Sequence, residues 1–188
     1  LITGANRGLG LELTRRLTAR GVETIATCRA SSDELDATGA RVVTGIDVAD
    51  DACEPLLTAA AGEAPIDLLV NNAALSPPKP ALQDSTKRWR LGVDVNVNGP
   101  FYMIYYFAPR MVEAGEGRVI NISSGVSQLP EFGRAGYMTT KAALEAMTRA
   151  LAFDLSGKVA VNCIQLPGFG SCAGSPSETY INIWAAEI

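Results

Sequence analysis

The sequence has no histidine. That absence excludes Ser-His-Asp and Cys-His nucleophilic mechanisms and every His-ligated metal site. Acid–base chemistry near neutral pH must then fall to a tyrosine, lysine, cysteine or carboxylate whose pKa the fold has shifted. Cysteine is scarce: Cys28, Cys53, Cys163 and Cys172 are the four, and no pair has C-x-x-C spacing. They read as reduced, mostly buried thiols of a cytoplasmic protein, with no metal bound. Long apolar runs are missing. The longest is Phe101 to Ala108, far short of the roughly 20 residues that span a bilayer. No basic segment leads into an apolar one at the start, so no secretory signal is expected. An excess of positive charge is also lacking. With 16 Lys and Arg against 20 Asp and Glu, a nucleic-acid partner is not expected.

What is present suits one globular domain. The chain has 188 residues, 47% of them apolar, too many for a disordered tail and enough to bury a core without disulfides. Charge is unevenly spread. Arg7, Arg15, Arg16, Arg20 and Arg29 against Glu12 and Glu23 give residues 1–30 a net of +3 on a chain of net −4. Such a patch can serve a phosphate or be one solvated helix face.

Apolar runs of strand length alternate with helical periodicity. Strands are expected at 1–3, 22–27, 41–46, 66–70, 118–122 and 158–164. Helices are expected from Leu9 to Gly21 and over 49–61, 84–91, 95–113 and 137–155. Six β-α repeats predict a doubly wound, Rossmann-type parallel sheet with helices on both faces, a three-layer α/β/α fold. No linker or repeat divides 1–188 into two domains.

Thr3-Gly4-Ala5-Asn6-Arg7-Gly8-Leu9-Gly10 follows a strand and opens a helix. Glycines there let the backbone turn tightly and approach a pyrophosphate, with the helix amides aimed at it. The spacing is G-x-x-x-G-x-G, not the common G-x-G-x-x-G, and a ligand-free tight turn is the plain alternative. The second strand ends Thr27-Cys28-Arg29, where a carboxylate would ordinarily hold the adenosine ribose. A carboxylate would repel a 2′-phosphate, whereas Arg7 and Arg29 would attract one. The expected cofactor is therefore NADP(H) in preference to NAD(H).

Tyr137 and Lys141 stand four apart in a helical stretch, so phenol and ammonium share a face. A nearby cation favours phenolate, which would bring a tyrosine into use as general acid/base. Ser124 ends the fifth strand, Asn71-Asn72-Ala73-Ala74 follows the fourth, Asn96 sits inside a helical stretch, and Pro167-Gly168 follows the sixth strand. Each polar cluster falls at the carboxyl end of a strand or on a helix beside it, where open α/β sheets bind ligands.

In this order and spacing the chain resembles the short-chain dehydrogenase/reductase family over essentially its whole length. The matching residues are TGANRGLG at 3–10, Asp47-Val48, NNAA at 71–74, Asn96, Ser124, the Tyr137/Lys141 pair and Pro167-Gly168. Ala74 departs from the family's usual glycine. The Thr27-Cys28-Arg29 strand end and the short link after it are similar to the C-factor-like branch. The resemblance implies a hydride-transferring oxidoreductase acting on a carbonyl or secondary alcohol, and the reducing direction is expected because cellular NADPH is generally kept reduced. Tyr137 would be the proton donor, or the base toward an alcohol. Lys141 would hold the nicotinamide ribose and lower the Tyr137 pKa. Ser124 would hydrogen-bond the substrate oxygen, and Asn96 would hold a relay water. Cofactor-binding roles would fall to Gly4, Asn6, Arg7, Gly8, Leu9, Gly10, Arg29, Asp47, Val48, Asn72, Ala73, Pro167 and Gly168. Asp47 would contact the adenine, or simply cap the helix after it. Ser171 would stand in for a threonine the family carries after its Pro-Gly pair.

Two other functions are open to the residues: a non-catalytic NADP(H) sensor, which would not need the tetrad, and a methyltransferase domain, which does not explain Tyr137 and Lys141. The partners expected are a small carbonyl or alcohol substrate, no nucleic acid and no membrane. A second copy is also expected, giving a dimer or tetramer through helices 95–113 and 137–155, because the aromatics at 101–107 cover more than one face. Measured against the family, the first strand starts short and the seventh strand falls beyond Ile188, so a chain cropped at both ends, with residues missing around 169–176, is expected.

Overall fold

The computed structural model describes residues 1–63, 65–76 and 78–167, and the backbone of 182–184. Gly168 and Ser171 of the predicted site, and the fourth cysteine, Cys172, lie outside the described residues. In chain order the elements are β1 (Ile2–Thr3), α1 (Gly8–Ala19), β2 (Ile25–Thr27), α2 (Asp33–Asp36), β3 (Arg41–Val43), α3 (Glu54–Ala61) and β4 (Leu68–Asn71). Then come α4 (Thr86–Val93), a π turn at Asp94–Asn98, α5 (Gly99–Ala114), β5 (Arg118–Ser124), α6 (Ala135–Asp154), β6 (Ala160–Leu166) and β7 (Asn182–Trp184).

The strands form one sheet in the order β3-β2-β1-β4-β5-β6-β7. The first six pair in parallel, as predicted. A seventh strand, Asn182–Trp184, pairs antiparallel with β6, from Cys163↔Trp184 to Gln165↔Asn182. Three residues carry too little periodicity to be read as a strand.

Alternation along the strands builds two cores. Leu1, Ile25, Leu69, Val119 and Val161 point to one face, where Leu57 of α3, Met103, Ile104, Phe107 and Met111 of α5 and Ala152 of α6 cover them. Ile2, Ala26, Val70 and Ile122 point to the other, beside Leu35 of α2 and Leu11, Leu13 and Leu17 of α1. This two-sided burial explains why the strands read as continuous apolar runs.

Strand β2 starts later than predicted. The Val22 N–H closes onto the Leu17 carbonyl at 3.1 Å while Gly21 takes a left-handed φ of 76°. These bonds end α1 and leave Val22 outside the sheet. The two helices predicted between 84 and 113 are one helical run. Ser85 caps its start by accepting the Arg88 N–H at 3.2 Å, and the π turn joins α4 to α5.

The aromatic stripe divides by face. Phe107 is buried with Met103 and Ile104 against the sheet, whereas Phe101 and Tyr105 are exposed and stack at 6.3 Å between centroids. Cys28, Cys53 and Cys163 are buried free thiols, as expected. Among the described residues no helix is long and apolar enough to cross a membrane, and no cluster of side chains could hold a metal ion.

Candidate active site

The glycine loop is built for close approach. Gly4 has φ +64°, and a Cβ there would meet Ala73 Cα at 2.8 Å. A Cβ on Gly10 would run into the Gly4 carbonyl and stand 2.5 Å from the Asn72 amide nitrogen. Asn72 sits so close because its amide donates to Thr3 O at 2.9 Å and Gly4 O at 3.1 Å. The Thr3 hydroxyl accepts the N–H groups of Asn72 and Ala73, both at 3.1 Å. Asn72 and Ala73 thus brace the loop from β4. Asn6 is held from the other side, its carbonyl accepting from Ser32 Oγ at 3.0 Å.

The residues present fit a dinucleotide. No side chain caps α1, so its first-turn amides are open to a phosphate. Arg7 and Arg29 are exposed, and among the described residues no hydrogen bond or ion pair engages either guanidinium. Cys28 is buried at the end of β2, with no carboxylate beside it in sequence. Asp47 accepts the Ala49 N–H at 3.1 Å, a local turn, whereas the cap of the helical segment that follows is Asp50, accepting from Ala52 N–H at 3.0 Å. Val48 is buried beneath Gly99, where an added Cβ would stand 2.9 Å from the Val48 carbonyl.

A cleft of about 310 Å³ opens at the carboxyl ends of β4, β5 and β6. It brings together six predicted residues: Leu9, Asn72, Ser124, Tyr137, Lys141 and Pro167. A larger cleft, about 600 Å³, lies at the opposite end of the sheet around Asp67, Arg118 and Lys158. Its lining pairs no tyrosine or serine with a buried cation, so size does not decide the site.

Lys141 is 2% exposed, and its Nζ donates to the Ile122 carbonyl at 2.5 Å. Burial lowers its pKa to about 8, with Cys163 and Glu145 pulling back upward. Tyr137 differs from expectation. Its pKa is raised, chiefly by burial, while Ser124, the Arg134 charge and Ser76 pull it down. Lys141 is not the cation responsible in this state. Its Nζ stands 5.6 Å from the ring centroid, with its hydrogen bond turned to the main chain.

Asn96 lies in the π turn, 1% exposed. Its oxygen accepts Leu75 N–H at 2.8 Å, and its amide donates to Leu75 O and Thr140 Oγ1, both at 2.9 Å. Both amide donors are therefore used within the protein, so a relay water at Asn96 would not be held by the side-chain amide.

Sequence reasoning missed a buried polar layer under α6. Asn71 donates to Asn121 at 2.8 Å, and Asn121 to Thr148 at 2.9 Å. Glu145 accepts from Ser123 at 2.6 Å and from Gln165 at 2.9 Å. It also missed Arg134 and Ser76, which line the same cleft. Arg134 stands three residues before Tyr137, and that spacing was the available signal.

Comparison with known proteins decides the family. Residues 1–178 match the model of the short chain dehydrogenase family. The chain is a short-chain dehydrogenase/reductase. It is 34% identical to galactitol 2-dehydrogenase (L-tagatose-forming) of Cereibacter sphaeroides, over 89% of this chain and 69% of that protein. It is 35% identical to gluconate 5-dehydrogenase of Gluconobacter oxydans, over 82% of this chain and 64% of that one. The chain thus spans about two thirds of these relatives. The closed form of a serine dehydrogenase complexed with NADP+ superposes with a TM-score of 0.79 at 34% identity, covering 89% of this chain and 72% of that one. These comparisons do not single out the C-factor-like branch of this oxidoreductase family.

Proposed function

We propose that this short-chain dehydrogenase/reductase is an NADP(H)-dependent enzyme that interconverts a carbonyl and a secondary alcohol, with Tyr137 as general acid/base. The observation that carries the reading is the cleft in which Ser124, Tyr137 and Lys141 meet beside the braced glycine loop. Open α1 amides and the unpaired Arg7 and Arg29 support a 2′-phosphorylated dinucleotide, as does the NADP+ carried by the serine dehydrogenase relative.

Bound NADP(H) would supply or accept the hydride. The Tyr137 hydroxyl gives its proton to the carbonyl oxygen in reduction, or takes one from an alcohol in oxidation. Ser124 Oγ hydrogen-bonds that same oxygen. The Lys141 ammonium, anchored on the Ile122 carbonyl, has two further N–H donors for ribose hydroxyls. Gly4, Gly8, Leu9 and Gly10 would line the pyrophosphate, and Asp47 would contact the adenine. Asn96 fixes the loop at Leu75 with its side chain, and any relay water is left to the main-chain carbonyls of its π turn. Pro167 walls the cleft at the end of β6. The relatives' names, galactitol, gluconate and serine dehydrogenases, suggest small hydroxylated substrates.

The same reading takes 1–188 as one nucleotide-binding domain in a cytoplasmic setting, working as a homodimer or homotetramer. Exposed Phe101 and Tyr105 on α5, with exposed Phe153 on α6, support the oligomer, and light scattering of a monomeric mass refutes it.

The test is to titrate NADPH by fluorescence, then assay NADPH oxidation across carbonyl compounds and NADP+ reduction with galactitol, D-gluconate and L-serine. Tyr137→Phe is expected to lose at least about 100-fold in turnover while still binding NADPH. A Phe variant with near-normal turnover sinks the mechanism, and NADPH binding without turnover on any substrate favours a sensor.

A further inference from the structure

Two serines, Ser124 and Ser76, line the cleft with Tyr137, and each hydroxyl already accepts one N–H. Ser124 Oγ accepts the Val126 N–H at 3.5 Å. Ser76 Oγ accepts Arg134 Nη1 at 2.6 Å, and the same nitrogen donates to the Ser76 carbonyl at 2.8 Å. A hydroxyl that accepts an N–H on one lone pair keeps its own hydrogen to donate. Both share the cleft with Tyr137, and both pull the Tyr137 pKa down against burial. The guanidinium behind Ser76 also lies 5.8 Å from the Tyr137 ring centroid, as near as Lys141 at 5.6 Å. Lys141, however, gives its hydrogen bond to Ile122.

We propose that Arg134 is a positioning residue that acts through Ser76, orienting the serine O–H toward the Tyr137 oxygen and favouring that oxygen's ionised form whenever the proton has left. Opposite charges favour each other's ionised states, and a hydrogen bond to the charged form does so too. The charged groups around the ring give the sign. Lys141 comes from α6, and Arg134 with Glu131 from the segment before it. Lys79, Asp84 and Arg88 line the small cleft behind the ring. Glu131 stands 3.8 Å from Arg134 Nε and only partly offsets it, leaving the guanidinium as the cation joined to the phenol through a single hydroxyl. The inference rests on Tyr137 being the acid/base, and its test separates the two.

The chain has five tyrosines. Labelling tyrosine with 13C at Cζ and titrating by NMR, with and without NADP+, resolves them, and Tyr137→Phe identifies the Tyr137 signal by its loss. Arg134→Met is expected to move the Tyr137 midpoint up by about one pH unit, the scale of one cation at this range in a partly wet site. Arg134→Lys should recover at least half of that move, and Ser76→Ala should give a smaller upward one. Were Arg134 only a clamp between the two loops, Arg134→Met would lower the melting temperature and leave the midpoint in place, and that result overturns the proposal. If Arg134→Met does not fold, Ser76→Ala decides by the same readout, an unmoved midpoint overturning it. Normal turnover by Tyr137→Phe would remove the acid/base reading while leaving the titration result intact.

Discussion

Lys141→Met should make the cofactor-free protein more stable at neutral pH while depriving it of its function. In the folded chain the Lys141 pKa falls from the ordinary 10.5 to about 8, with desolvation the largest cause. Between those values the unfolded chain binds more protons than the folded one, so wild-type stability rises with pH across that window. Below pH 8 the lysine imposes its full penalty, about 3 kcal/mol at 1.36 kcal/mol per pH unit. The Ile122 carbonyl that loses its Nζ donor returns about 1 kcal/mol of that. Urea denaturation at pH 7 is therefore expected to show the Met variant ahead by about 1–3 kcal/mol. The gap should close as pH climbs from 8 to 10.5, and because it is a difference between two proteins, titrations common to both cancel. A variant less stable than wild type at pH 7, or a gap that does not change with pH, refutes the reasoning.

Changing Cys28 to Asp together with Arg29 to Ala should shift cofactor preference toward NAD, read as the ratio of kcat/KM values for NADP and NAD; an unmoved ratio means that the phosphate site lies elsewhere. Asn96→Ala strips Leu75 of partners for both its N–H and its C=O, and should lower stability by about 2–4 kcal/mol in urea melts; a loss under about 0.5 kcal/mol would show that the π turn stands without this side chain. Gly10→Ala drives a methyl into the Gly4 carbonyl and the Asn72 amide, and should cost about 1–3 kcal/mol along with NADPH affinity. Unchanged binding would mean that the loop moves aside freely.

The sheet was legible because its strands are buried on both faces, so each showed as an apolar run bounded by turn residues. Tyr137 and Lys141 were legible because four residues on a helix is a local distance. What escaped was joined by tertiary contact alone. Ser76 and Arg134 stand 58 apart in the chain, and Asn71 and Asn121 stand 50 apart, so no local spacing announces either pair. The electrostatics of Tyr137 was misread for a related reason. Sequence shows that a cation is near, whereas only coordinates show that Lys141 spends its hydrogen bond on Ile122 and that burial outweighs every cation present. The π turn left no trace either, since one extra residue in a helical ring does not disturb composition.

That extra residue has an indexing consequence. The turn at Asp94–Asn98 closes over five residues instead of four. Everything after it on α5 is rotated by about 100° relative to a continuous α-helix. Deleting one residue there would restore a regular helix and leave Met103, Ile104 and Phe107 on the sheet, whereas closing the full sequence into an unbroken α-helix would turn Ile104 away and bring Tyr102 and Tyr106 round toward it. The extra residue held in the π turn thus decides which rings α5 turns outward, while Asn96 within that turn stays buried.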